Sequence, residues 1–233
     1  MDLTATRETL HRVGAHVLGR ARFQATGRFG LRASPGGFST PAFGDGPEVL
    51  RVAGGLLVRE RGAGARYTPV DGASLRDLAE FAGVTLDPAF SVGADTPTLG
   101  DVDEPLALDR GAARVLAEWL ETGQELLDDL CGALPVDAQP AVPQLWPEHF
   151  DLGTTVSLPD GDHVNLGASP GDGFSEDPYL YVGPWSAARP GDASYWNAPF
   201  GAVCRRRELP VGEGRFDAAL AFMKVGLARL GRP

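Results

Sequence analysis

Apolar and polar positions change period several times along the chain, and each change predicts an element. Leu10, Val13 and Val17, flanked by alanines, recur at helical spacing, with Thr4 or Thr6 able to cap, so a helix is expected near 6–20. From Arg22 the apolar positions Phe23, Ala25, Phe29 and Leu31 alternate with Arg22, Gln24, Thr26, Arg28 and Arg32. That alternation predicts a strand with Phe23, Phe29 and Leu31 buried and the arginines on its other face, against acids or an anion. Turns at Ser34–Gly37, Gly44–Pro47 and Gly54–Gly55 divide short runs at 38–43, 49–52, 56–60 and 66–70 into a meander. Ser74, with Asp77 three residues on, opens a short helix along Leu75, Leu78 and Phe81.

Residues 84–107 are irregular and acidic, as a link or a lid would be. Asp109 then caps a long helix whose stripe is Ala112, Leu116, Trp119, Leu120, Leu127 and Leu130. A Pro-bearing stretch at 134–143 precedes strands near 150–158, 163–169, 179–184 and 199–205, and a last helix spans about 214–231. The fold class is α+β, with antiparallel sheet covered by helices. It reads as a single domain over 1–233 in two similar helix–strands–helix halves, about 1–90 and about 108–233.

Composition changes this picture in two ways. The net charge of −10 is unevenly spread, with residues 1–70 holding ten Arg against five acids and residues 71–204 four Arg against 23 acids. A mainly acidic surface repels phosphate backbones, so no nucleic-acid partner is expected. No apolar run is long enough for a bilayer span, so no membrane partner is expected either. The opening residues carry no secretory pattern, and Cys131 and Cys204 fit two reduced core thiols, so a cytoplasmic location is expected. Glycine-rich nucleotide loops and Gly-x-Ser-x-Gly are missing.

Candidate chemistry gathers between Leu145 and Gly201, which holds three of the four Trp, three of the four Tyr and two of the four His. Around Pro159–Asp162, burial favours a hairpin pairing Val156 with Leu166, Leu158 with Val164 and Thr154 with Ala168. The opposite face then displays His149, Asp151, Thr155, Asn165 and Ser169, with Gly153 and Gly167 leaving room for a ligand and Asp172 near the His149 end. Three readings stay open there. His149, Asp151 and Asp172 can hold a divalent metal. His149 can be a general base oriented by Asp151 or Glu148. Or the acids can tie Gly- and Pro-rich loops through backbone N–H groups. Trp146, Tyr179, Tyr181 and Trp185 are candidate walls, either as core or as a stacking surface for a sugar or other flat ligand. Asp172, Glu176 and Asp177 argue against an RNA platform.

In their order along the chain, Thr9-Leu10-His11, Arg22 to Arg32, Phe150-Asp151-Leu152, Ser169-Pro170-Gly171-Asp172 and Asp177-Pro178-Tyr179-Leu180-Tyr181 give the chain, over most of its length, a pattern that resembles a family of uncharacterised proteins from high-GC bacteria. That family is a domain of unknown function, so the resemblance implies no reaction, cofactor or catalytic residue. The expectation is a small-molecule-binding or interaction module with a pocket within 145–200. The alternative is a metal-assisted hydrolase or isomerase using His149 and nearby carboxylates.

Overall fold

In the computed structural model, which describes residues 2–232, the chain forms two five-stranded antiparallel sheets with helices, an α+β architecture. It divides into two compact units, residues 1–121 with 145–151 and residues 122–144 with 152–233. The division falls inside a helix, and the 84–107 segment lies within the first unit.

The first unit opens with α1 (Leu3–Val13), a π-helical segment (Gly14–Gly19) and α2 (Arg20–Thr26). The expected strand from Arg22 is therefore helix as far as Thr26. Arg, Ala and Gln are good helix formers, and helix already nucleated upstream propagates readily through them. Gly27, at φ +70°, caps the end and turns the chain. Only the last part of the expected stretch is extended, as β1 (Arg32–Ser34). Leu31 is buried as expected, but Phe23 is 39% exposed and Phe29 only half-buried. Nor, among the described residues, does an ion pair join Arg22, Arg28 or Arg32 to an acid. Arg22 donates to the Gly30 carbonyl and Arg32 Nε to Ser39 Oγ.

The meander follows as β1, β2 (Gly37–Ser39), β3 (Glu48–Ala53), β4 (Leu56–Arg61) and β5 (Gly64–Pro69), paired in chain order. Along β3 the even positions Glu48, Leu50 and Val52 are buried, the alternation that one covered face demands. Then comes α3 (Leu75–Ala82), begun by the Ser74–Asp77 capping box and closed by Gly83. The acidic 84–107 stretch is strapped down by side chains that satisfy its carbonyls. Arg12 donates to Leu99 and Asp101, His16 to Pro97, and Arg76 pairs with Asp103.

Helix α4 (Arg110–Ala133) carries the predicted stripe, and Asp109 Oδ1 caps it by accepting from the Ala112 N–H. The second sheet has the order β10 (Ala202–Arg205), β9 (Tyr179–Pro184), β8 (His163–Ser169), β7 (Asp151–Ser157), β6 (Gln144–Trp146). Helix α5 (Arg215–Arg229) buries Ala219, Met223 and Leu227. The β7–β8 register differs by two residues from expectation: Val156 faces Val164, Thr154 faces Leu166 and Leu152 faces Ala168. Even positions still pair with even, so each side chain keeps its predicted face.

Candidate functional site

The donors that converge lie in the first unit, on two loops. Residues 147–150 form a tight turn closed by a hydrogen bond from the Phe150 N–H to the Trp146 carbonyl, 2.7 Å. Phe150 has φ +57°, a left-handed conformation that non-glycine residues adopt at some cost. Its buried ring offsets that cost, stacked on His11 at 5.4 Å between centroids and meeting Phe38 edge-on at 5.1 Å. A side chain at Gly14 would meet the same ring at 3.3 Å, so the π-helical segment leaves room for it. His11 Nε2 lies 3.0 Å from both the Pro147 and the Glu148 carbonyl oxygens. Carbonyls only accept, so Nε2 carries the proton and clamps the turn. Desolvation lowers the pKa of His11, in keeping with a neutral ring.

This clamp presents Glu148 and His149 to a second loop, 91–97, which is knotted by Ser91 and Thr96. The Glu148 carboxylate occupies the space that a side chain at Gly93 would fill, with Cδ 1.8 Å from that Cβ position. Its Oε1 accepts from the Asp95 N–H at 3.4 Å. Asp95 Oδ2 stands 3.3 Å from His149 Nδ1, and Glu148 Oε2 stands 3.7 Å from His149 Nε2. One donor atom from each of Asp95, Glu148 and His149 lies within 4.8 Å of the others. Asp95 and His149 are exposed while Glu148 is half-buried, so the group opens to solvent on a fixed base.

The expected metal set was His149, Asp151 and Asp172. His149 meets Asp95 and Glu148 instead, and the other two acids are placed elsewhere. Asp151 is buried at the start of β7. Asp172, in the second unit, is used up by its own loop: Oδ1 accepts from the Phe174 and Ser175 N–H groups, and Oδ2 from the Tyr179 hydroxyl. Its part is the loop-tying one. The sequence carries no sign of Asp95 as a partner of His149, because 54 residues separate the two and Asp95 sits in an irregular acidic stretch. The small Gly93 between Ser91 and Thr96, typical of a tight structured loop, was the available signal.

The aromatic candidates separate as well. Trp146 is 36% exposed and packs on Phe29, centroids 6.2 Å apart. Tyr179 and Tyr181 do stand side by side on β9, at 6.3 Å, but Tyr179 is core, clustered with Ala198 and Val203. The real register sets Gly153 directly opposite Gly167, and Tyr181 pairs with Gly167 on the other side. Its phenol fills the gap expected for a ligand, with Cζ and Oη 2.3 Å from where a Gly167 side chain would begin. Asn165 and Trp185 come together: Asn165 Oδ1 accepts from the Trp185 indole N–H at 2.9 Å and from Thr155 Oγ1 at 2.9 Å. The Trp185 ring stacks on His163 at 4.8 Å and stays 62% exposed.

No protein-family model, curated protein or solved structure matches the chain. Among the described residues, no helix is long and apolar enough to cross a membrane.

Proposed function

We propose that the chain binds a divalent transition-metal ion through Asp95, Glu148 and His149 and offers its open coordination positions to a small polar ligand. One observation supports this above others: an imidazole nitrogen and two carboxylate oxygens converge from two cross-tied loops. Imidazole with carboxylates suits zinc or manganese, and three protein ligands leave a position free for exchange. Bonds of about 2.0–2.2 Å require the donors to close by roughly an ångström, a small movement for side chains exposed at their tips. A metal held there would polarise a carbonyl or phosphoryl oxygen of the ligand, the step that a hydrolase or isomerase needs.

Isothermal titration of tag-free protein with Zn²⁺ and with Mn²⁺ tests the reading. One equivalent should bind, and His149→Ala should weaken binding by about tenfold or more, since one of three ligands is lost. Gly93→Ala is the sharper variant. The added methyl displaces the Glu148 carboxylate, the mobile end of a side chain, so affinity should fall while stability barely changes. Stoichiometric binding indifferent to both substitutions would refute the site.

A second reading rests on Trp185. A hydrogen bond and a stacked His163 fix its indole while leaving it 62% exposed, which is the arrangement of a stacking platform for a sugar ring. Trp185→Ala should abolish any fluorescence response to monosaccharides. The charge excess of acids between 71 and 204 supports a partner other than nucleic acid, and two free cysteines support a reducing, cytoplasmic setting.

A further inference from the structure

In the second unit, the end of α4 and the last turns of α5 line a groove of about 370 Å³. That lies within the range of small-ligand sites. Leu130, Leu134, Val225 and Leu227 are among its walls, and the lining holds no aromatic ring and no carboxylate. Its only charged residues are Lys224 and Arg232. A lining that holds two cations and no acid runs against the balance of a chain with net charge −10.

The two cations differ. Arg232 is 5% exposed and already engaged, donating to Asp137 Oδ2 at 2.8 Å and to the Ser157 carbonyl at 2.9 Å. Lys224, the only lysine of the chain, is exposed at the rim. Its neighbours one helical turn away are Leu220, Ala221, Leu227 and Ala228, so α5 offers it no carboxylate at the spacing where helix ion pairs form. Among the described residues none pairs with its ammonium.

We propose that this groove binds a single-chain aliphatic carboxylate, its tail along Leu130, Leu134, Val225 and Leu227 and its head group at Lys224. Aliphatic walls without a flat ring suit a slim, flexible chain rather than a planar ligand. The unmatched ammonium selects an anion, and the engaged Arg232 keeps the floor of the groove fixed.

Calorimetric titration with hexanoate, octanoate and decanoate, and with decanol as the uncharged control, tests this. Each added methylene should tighten binding about fourfold while the tail lies in the groove. Lys224→Gln should weaken decanoate by roughly two- to fivefold, the effect of one exposed ion pair, and leave decanol unchanged. Ala228→Trp, at an exposed helix position, should fill the groove and abolish binding of both without lowering the melting temperature. Affinity that does not rise with chain length overturns the proposal, as does decanoate binding indifferent to Lys224→Gln. So does a dimer in solution that Val225→Asp dissociates, since the groove would then belong to a second copy.

Discussion

Phe150 offers a test of how the turn at 147–150 is held. The ring is 1% exposed, and removing it as Phe150→Ala should cost roughly 3–5 kcal/mol, the range for a buried phenylalanine. The backbone at φ +57° carries a separate cost of about 1–2 kcal/mol for any residue with a Cβ. Alanine retains that cost and glycine escapes it. At an ordinary position glycine is the worse of the two by about 0.5–1 kcal/mol, because its unfolded chain has more freedom to lose. At position 150 the two effects oppose, so Phe150→Gly should be equal to Phe150→Ala or up to about 1.5 kcal/mol more stable. Urea unfolding followed by tryptophan fluorescence measures the difference. Trp185 and Trp196 report the second unit, so a background with both changed to Phe leaves Trp119 and Trp146 to report the first. If Phe150→Gly is the less stable variant by the usual half to one kcal/mol, the turn is not held left-handed. The account of the Glu148–His149 presentation then falls with it.

Gly167→Ala should be among the most damaging single-methyl changes, since its Cβ would lie 2.3 Å from the Tyr181 ring and 2.4 Å from the Leu152 carbonyl oxygen. Because the second obstacle is backbone, Tyr181→Ala should not restore the melting temperature; full rescue would show that the sheet can yield there. Burial lowers the pKa of His11 and of His16, so both prefer to be neutral when folded while the unfolded chain takes up protons first. Their contribution is present above the ordinary histidine range near pH 6.5 and is lost as pH falls through it toward the lower folded values. Unfolding free energy should therefore decline on acidification from about pH 7.5 to 5, and His16→Gln should flatten the curve; an unchanged slope would exclude His16 as a source. Burial pushes the Cys204 thiol up to about 11 and raises that of Cys131, so both should react slowly with a disulfide reagent at about pH 8 in native protein and fast in urea. Fast native reaction would contradict the desolvation of these half-buried thiols.

How much of this was legible beforehand depends on the range of the interaction. The sequence alone determined the α+β class, the β3–β4–β5 meander, the Ser74–Asp77 cap and the stripe of α4, because each is written in residues within one or two turns or strands of one another. It also determined the faces of β7 and β8, since burying Leu152, Val156, Val164 and Leu166 requires only that even positions share a side.

Tertiary structure decided the rest. Residues 22–26 alternate like a strand but extend a helix, because they continue the helical turns before them and Gly27 marks the stop. The two-residue choice of β7–β8 register, which parity leaves open, sets two glycines face to face and lets Tyr181 close the gap a ligand was expected to use. The convergence of Asp95 on His149 needed a loop strapped by Arg12 and His16 and a turn clamped by His11. Such contacts join residues 50 to 140 positions apart, and a one-dimensional pattern carries no record of which distant side chains will meet.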